Sequence, residues 1–236
     1  MPVAKRTTFR RIRRWILIAL AILVVGPFAV ILPLNLVQPF TTSVMLWRAG
    51  ERLAQGKRPV YPRRDVVRRD EISPLLRRAV LAAEDDRFYL HDGFDFKEIE
   101  SALERARAGR RLRGASTISQ QVAKNLFLWE GRSYVRKGLE AWLTVVLELC
   151  VPKERILDLY LNLAEWGDGV FGAEAAARTH FRTSAKRLTK GQAARLAAVL
   201  PAPRRWPANG GVAARRATWV LERMRYPAPK PEELLR

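Results

Sequence analysis

Charged residues are absent from one long stretch of the chain, Ile16 to Trp47. Its most apolar part, Ile16 to Leu36, is as long as the roughly 20 residues that a helix needs to cross a bilayer. We therefore predict a transmembrane helix over residues 15–36, kinked or ended by Pro27 and Pro33. A cleaved signal peptide is the alternative, but the apolar run is longer than usual in such peptides and no small-x-small cleavage site follows it.

The charges on either side of this stretch predict its orientation. Six basic residues and no acid precede it, namely Lys5, Arg6, Arg10, Arg11, Arg13 and Arg14. By the positive-inside rule, residues 1–14 are a cytoplasmic tail, and the chain that follows the helix is on the outer side of the membrane. Residues 37–67 are then a membrane-proximal linker. Between Gln38 and Tyr61 apolar and basic residues mix, which fits either a segment at the membrane interface or an ordinary linker packed on the domain.

Beyond the linker, in residues 68–236, apolar positions recur at helical spacing. Ser73 and Pro74 predict a helix start, and the helix runs to an acidic cluster at Glu84. Further helices are predicted between Asp95 and Gly109, from Thr117, after Ser133, and over Lys153–Leu163, Gly172–Phe181, Ala193–Leu200 and Ala213–Met224. No segment alternates with period two, so the fold class predicted for this domain is all-α (mainly helical).

Composition narrows the class of partner. The 236 residues carry a net charge of +20, and removing the six tail charges leaves the exported part at +14. Nucleic acid is not expected on the outer side of the membrane, so a phosphorylated lipid or the bilayer surface is the better partner for the basic domain.

The single cysteine, Cys150, lies in an apolar run and cannot form an intrachain disulfide. His91 and His180 are far apart in sequence, which excludes a His-rich zinc site.

The acidic cluster Glu84-Asp85-Asp86 is unusual because it closes an apolar helix face. Glu84 continues that face, where partial desolvation and the helix dipole both raise the pKa of a carboxyl group. Such a carboxylate suits a general base. The alternative is a solvated helix end whose acids pair with Arg87 or Arg77.

Two further polar groups follow. In the segment Ala115–Asn125, Thr117 and Gln120 have the spacing of a capping box, which leaves Gln121 and Lys124 unexplained. A helix start preceded by arginines and glycine is also a ready site for an anion. Farther on, the three side chains Arg136, Lys137 and Glu140 lie within one turn, which on its own fits a surface ion pair.

Taken in order, these groups resemble the motifs of the peptidoglycan glycosyltransferases, glycosyltransferase family 51. The similarity runs from about Leu75 to Met224, and Asn162–Gly172 most resembles the monofunctional biosynthetic branch. The matching motifs are Glu84–Phe88 with His91 and Gly93, Gly114–Gln121 with Lys124 and Asn125, Arg136 and Lys137 with Glu140, and Arg155–Leu157 with Tyr160–Asn162.

The resemblance implies a lysozyme-like glycosyltransferase domain that builds glycan chains during cell wall biosynthesis. Such an enzyme transfers the growing lipid-linked glycan onto lipid II, forms β-1,4 linkages with inversion, and releases undecaprenyl pyrophosphate. The implied partners are lipid II, the growing glycan, the membrane, and proteins of cell wall synthesis or division. No cofactor is required on this reading, although Mg²⁺ or Mn²⁺ could accompany the substrate pyrophosphate; no metal site of the protein itself is predicted.

The resemblance also assigns roles. Glu84 matches the catalytic base, and Glu140 matches a second glutamate that assists departure of the pyrophosphate or orients basic groups. Residues matching pyrophosphate-binding positions are Lys124, Arg132, Arg136 and Lys137, and those matching the donor site are Ser116, Thr117, Gln120 and Gln121. Residues expected to support the cleft are Asp85, Phe88, His91, Tyr160 and Asn162.

Two rival functions remain at this point. A lysozyme-like hydrolase or lytic transglycosylase also uses paired carboxylates but does not need the predicted cluster of cations around Lys124 and Arg136. A basic membrane-tethered scaffold accounts for the charge and the anchor, but not for the carboxylates and the Gln120-Gln121 pair.

Overall fold

Helices dominate the computed structural model, which describes residues 3–56, 63–109, 116–131 and 133–226. This confirms the prediction of a mainly helical fold. The ten α-helices in the described ranges are α1 Val3–Ile31, α2 Ser43–Ala54, α3 Pro74–Glu84, α4 Phe96–Arg107, α5 Ile118–Phe127, α6 Tyr134–Cys150, α7 Lys153–Leu163, α8 Ala173–Phe181, α9 Lys190–Val199 and α10 Gly211–Arg223. Short 3₁₀ turns cover Leu32–Asn35, Arg69–Glu71, Phe88–Leu90 and Ala185–Arg187.

Side-chain caps fix where several helices begin. The Thr117 hydroxyl accepts from the Gln120 amide (3.2 Å), and the Gln120 side chain accepts from the Thr117 amide (3.0 Å), so α5 starts with a complete capping box. Thr189 and Gln192 form the same box at α9. Ser133 caps α6 by accepting from a backbone amide of its first turn. These hydrogen bonds satisfy amides that have no partner within the helix.

Three very short strands form the only sheet in the described part of the chain. They are β1 Arg63–Arg64, β2 Glu165–Gly167 and β3 Val170–Phe171, in the order β1-β3-β2. β1 pairs with β3 in parallel, with Arg63 opposite Val170, whereas β2 and β3 form an antiparallel hairpin. Strands of two or three residues are too short to show a period of two, which is why the sequence pattern did not predict them.

Helix α7 lies at the centre of the domain. Its apolar residues from Ile156 to Leu163 are almost fully buried, and it contacts both α5 and α8. The alanines of α8 and α9, such as Ala176 and Ala197, are fully buried. Small side chains let the helix backbones approach closely, so this core is dense and holds the surrounding helices rigidly.

Helix α1 is the membrane-anchor candidate. The segment Phe9–Asn35 has a mean hydropathy of 2.8 over its most apolar window and is mostly exposed. The α-helix already begins at Val3, passes through Pro27, and ends at Ile31, two residues before Pro33. The limits of tail, span, linker and domain at residues 14, 36 and 67 stay predictions.

The end of the anchor is attached to the domain. The Trp142 indole donates to the Leu23 carbonyl (3.1 Å), and Arg155 donates to the Leu34 carbonyl (2.7 Å). Ile31 is fully buried and Leu34 is nearly so. The anchor therefore enters the domain through fixed contacts with α6 and α7.

The predicted linker contains helix α2. Val44 and Met45 on one of its faces are buried against Phe171. Leu46 and Leu53 are more than half exposed, at 62% and 58%. This described part of the linker is therefore packed on the domain and also keeps apolar side chains on its outer face.

Candidate active site

A cleft of about 970 Å³ opens between the end of α3, helix α4, the start of α5 and helix α10. Both acidic and basic side chains line it. The charged and polar lining residues are Glu84, Asp85, Asp86, Asp95, Glu98, Arg105, Ser116, Thr117, Gln121, Lys124, Arg216 and Arg223. The cleft is therefore the candidate site for a large charged substrate.

The three consecutive acids at the end of α3 have three different environments. Asp85 is buried and accepts hydrogen bonds from the Ile118 amide (2.9 Å) and from His91 Nε2 (3.0 Å). Asp86 forms an ion pair with Arg223 of α10. Glu84 has no cationic partner in direct contact among the described residues, so it is the acid best placed to exchange a proton in the cleft.

Neighbouring side chains orient the Glu84 carboxylate. Its Oε2 accepts from Gln121 Nε2 (3.0 Å), and Gln121 Oε1 in turn accepts from the Tyr160 hydroxyl (3.0 Å). Because Tyr160 is buried, the chain of hydrogen bonds fixes the amide of Gln121 with its NH₂ group toward Glu84.

Burial raises the pKa of Glu84 to about 7, and repulsion from Asp85 acts in the same direction. The hydrogen bond from Gln121 and the charge of Arg216 oppose this rise in pKa because they favour the ionised carboxylate. The desolvation predicted from the apolar face of α3 is thus the main cause. A carboxyl group with a pKa near 7 is well suited to accept and release a proton at neutral pH.

The loop after α3 supports the cleft through buried contacts. Phe88 is fully buried, with the Lys153 ammonium 4.6 Å from its ring centroid. The Thr117 hydroxyl donates to the Gly93 carbonyl (2.7 Å), which ties the loop to α5. Gly93 has φ +90°, and a Cβ there would lie only 2.8 Å from Thr144 Cγ2, so the loop requires glycine at this point.

The predicted donor-site residues are divided between two places. Ser116, Thr117 and Gln121 line the cleft, as does Lys124 of the predicted pyrophosphate-binding group. Gln120 instead is buried, and its side chain turns back into the capping box of α5. Lys124 makes no ion pair or hydrogen bond through its side chain with the residues that the structure describes, which leaves its ammonium available to an anion.

The second predicted glutamate lies on α6. Glu140 Oε2 accepts from Arg136 Nη1 (2.6 Å), and its other oxygen is bound by the Lys137 ammonium. The Glu140 side chain is only 4% exposed, so this cluster is more than a surface ion pair. None of the three residues belongs to the described set that lines the cleft. The fourth predicted cation, Arg132, lies outside the described residues.

Asn162 supports a different part of the molecule. Its amide group exchanges two hydrogen bonds with the backbone of Val67, accepting at 3.0 Å and donating at 3.1 Å, and it also donates to the Asp158 carbonyl (2.9 Å). It therefore joins the segment before α3 to α7. Asn162 is not among the described residues that line the cleft.

Helix α10 forms a wall of the cleft that the sequence reasoning missed. Arg216, Trp219 and Arg223 all line it, and both guanidinium groups lie about 5 Å from the indole ring, at 5.1 and 4.9 Å. Their spacing of three and four residues places them on one helix face, a signal that was present in the sequence. Nothing local, however, indicated that this face meets α3.

Comparison with known proteins places this fold and cleft in a family. A family model described as Transglycosylase matches residues 50–225. The chain belongs to the transglycosylase family.

Curated relatives of this transglycosylase cover nearly the whole chain. A biosynthetic peptidoglycan transglycosylase of Pseudomonas fluorescens (strain SBW25) is 51% identical over 218 residues, which are 92% of this chain and 88% of the relative. The protein of that name from Xanthomonas campestris pv. campestris (strain B100) is 47% identical, over 92% of this chain and 89% of its own. One from Pseudomonas syringae pv. tomato is 50% identical over 85% of each chain.

Membership of the transglycosylase family confirms the resemblance read from the motifs, the lysozyme-like helical fold and the prediction of a glycosyltransferase enzyme. It does not favour a glycan-cleaving hydrolase or a scaffold without activity.

The described residues of the transglycosylase contain no cluster of three or more His, Cys, Asp or Glu side chains that could hold a metal ion. Acids around the cleft are instead paired with arginines: Asp86 with Arg223, and Glu98 with Arg105 (2.6 Å).

Proposed function

We infer that this chain polymerises the glycan strands of peptidoglycan, transferring the growing lipid-linked glycan onto lipid II with release of undecaprenyl pyrophosphate. One observation carries the inference: in a chain of the transglycosylase family, a carboxyl group with a pKa of about 7, Glu84, faces a large cleft that also contains lysine and arginine. Glycosyl transfer from a pyrophosphate needs both a base and fixed positive charge.

In the proposed reaction, Glu84 accepts the proton of the acceptor sugar hydroxyl. That oxygen forms the new bond to the anomeric carbon of the growing chain, while the bond from this carbon to the pyrophosphate oxygen breaks. The bonding electron pair leaves with the pyrophosphate, and in-line attack inverts the anomeric centre. Gln121, held by Tyr160, keeps the carboxylate of Glu84 aimed into the cleft.

The leaving group would be stabilised by cations. Lys124 lines the cleft and has no anionic partner among the described residues, and Ser116, which precedes α5, lines the same cleft. Arg132, Arg136 and Lys137 are proposed to complete this group. Because Glu140 is already bound to Arg136 and Lys137, its contacts support the role of orienting these cations rather than touching the pyrophosphate directly.

The chain is proposed to be a single-pass protein of the inner membrane, with its N-terminus in the cytoplasm and the cleft in the periplasm. The exposed apolar helix α1 and the basic residues at its start support this orientation. The reacting bond of a lipid-linked pyrophosphate lies at headgroup level, and such an anchor would hold the cleft close to that level.

We propose no resident cofactor; Mg²⁺ or Mn²⁺ would arrive with the substrate pyrophosphate. Proteins of cell wall synthesis or division are further proposed partners.

Polymerisation of labelled lipid II in liposomes tests the proposal. The wild type should form a polymer that lysozyme digests, and Glu84→Gln should form none although it folds. Glu100→Gln is the matched control, because it removes one carboxylate from an exposed position on α4. If the wild type instead shortened preformed glycan, the glycan-cleaving alternative would be correct.

A further inference from the structure

Arg48 on helix α2 joins three acidic side chains from three parts of the chain. Its guanidinium group lies 3.0 Å from Glu51 on the same helix, 3.1 Å from Glu165 in the β2-β3 hairpin and 3.5 Å from Glu130. The Arg48 side chain is only 15% exposed. Arg48 is therefore a fixed contact between the membrane-proximal helix and the catalytic domain.

Glu130 belongs to the loop that joins α5 to α6, of which the structure describes residues 128–131 and 133. This loop connects two of the proposed pyrophosphate-binding residues, since Lys124 lies in the last turn before it and Arg136 in the first turn after it. Any displacement of the loop would change the distance between their charges.

Among the described residues of the loop, the backbone hydrogen bonds lie at its ends. Leu128 donates to the Lys124 carbonyl (3.0 Å), and Lys137 donates to the Ser133 carbonyl (3.1 Å). In its middle, where Gly131 has φ +136°, side chains from both sides provide the contacts among the described residues.

On one side of the loop Arg48 binds Glu130. On the other side Arg136 Nε donates to the Gly131 carbonyl (2.9 Å), while its Nη1 donates to Glu140 (2.6 Å). The contacts thus form a continuous path from α2, across the loop, to the second predicted glutamate.

We propose that Arg48, by binding Glu130, positions residues 128–131 of the loop between α5 and α6, so that helix α2 sets the placement of the cations that hold the substrate pyrophosphate. This rests on the proposed function, which assigns those cations to the pyrophosphate. Arg48 and Glu130 are positioning residues, since neither lines the cleft.

If the Arg48–Glu130 contact served only the stability of the fold, its loss would lower the melting temperature and leave anion binding unchanged. The proposal predicts the opposite. The Glu130 side chain is 34% exposed, and ion pairs with partly exposed carboxylates contribute little to folding stability. Loss of this contact should therefore leave the melting temperature nearly unchanged and act on the binding of the anion.

The chain offers a matched control on the same helix. Arg52 lies one turn after Arg48, carries the same charge, and pairs with Asp168 (3.2 Å) instead of with the loop. Its substitution changes the net charge of α2 equally but leaves the Arg48–Glu130 contact intact.

The test measures binding of farnesyl pyrophosphate, a short pyrophosphate-bearing lipid, to the full chain in detergent, together with the melting temperature. Glu130→Gln and Arg48→Gln should weaken binding about two- to fivefold, the range that coupling energies of partly exposed ion pairs allow. The double variant should bind no more weakly than Arg48→Gln alone, because Arg48→Gln already removes the one contact that Glu130→Gln breaks. Arg52→Gln should bind like the wild type.

Wild-type affinity in Glu130→Gln would overturn the inference, as would an equal loss in Arg52→Gln. Lipid II polymerisation by the wild type, measured separately, reports on the proposed function. A wild type that binds the pyrophosphate but forms no polymer would contradict that function, while the comparison of binding among the variants would still decide the role of Arg48.

Discussion

Replacing Glu84 by glutamine should stabilise the folded protein at neutral and alkaline pH. The substitution keeps the shape of the side chain but removes a carboxyl group whose pKa is raised from 4.5 to about 7. Between these two pH values the folded state holds a proton that the unfolded state has released. The stability of the wild type therefore falls as the pH rises through this window.

The magnitude follows from the shift in pKa. Ionising Glu84 in the folded state costs at most about 3–4 kcal/mol, from ~1.4 kcal/mol for each pH unit between the two pKa values. Because the side chain is partly accessible in the cleft, solvent screens the charge and we expect ~1–3 kcal/mol. For a chain of this size, each kcal/mol corresponds to about 2–4 °C in melting temperature.

Thermal unfolding in detergent at a series of pH values provides the assay. Glu84→Gln and the wild type should melt together near pH 4, separate between pH 4.5 and 7, and differ by a constant amount above that. Glu100→Gln should follow the wild type throughout. An advantage of Glu84→Gln that is the same at pH 4 and pH 8, or no advantage at pH 8, would refute the argument that burial holds the pKa of Glu84 high.

Four further predictions follow from the contacts around the cleft. The kcat/KM of polymerisation should rise with pH to a plateau with a midpoint of about 7, because Glu84 must be ionised to act as a base. Gln121→Leu removes a donor to that carboxylate, so the midpoint in the pH profile should move to higher pH. Gly93→Ala should lower the free energy of unfolding by about 2–4 kcal/mol, from its positive φ and the close Thr144 methyl group, in denaturant titrations. Asn162→Leu should cost about 2–3 kcal/mol in the same titration through its lost hydrogen bonds, while the midpoint of the pH profile stays at its wild-type value.

Local patterns in the sequence determined the helices and their starts. Apolar spacing and capping residues predicted the helices from α3 onward, and the capping box at Thr117 is formed as expected. The same patterns indicated the anchor and the partial desolvation of Glu84. Hydrogen bonds within one helical turn, and the burial of one helix face, depend only on residues that are close in sequence.

The tertiary structure alone decided which partners several similar side chains have. Glu84, Asp85 and Asp86 are consecutive and all line the cleft, yet their partners differ. Asp85 binds the start of α5, and Asp86 pairs with Arg223, which is 137 residues away. Gln120 and its neighbour Gln121 likewise point in different directions.

The walls and supports of the cleft also depend on contacts between distant parts of the chain. Arg216 of α10 acts on the pKa of Glu84, and Arg48 of α2 meets Glu130, although no local pattern pairs these residues. Periodicity specifies which face of a helix is buried. Which other helix packs against that face depends on how all the helices pack around a single core. The sequence alone thus predicted the family and the apolar helix α1, and it is the source of the proposal that Glu84 is the base. The α10 wall and the contact between α2 and the loop emerged only from the assembled domain.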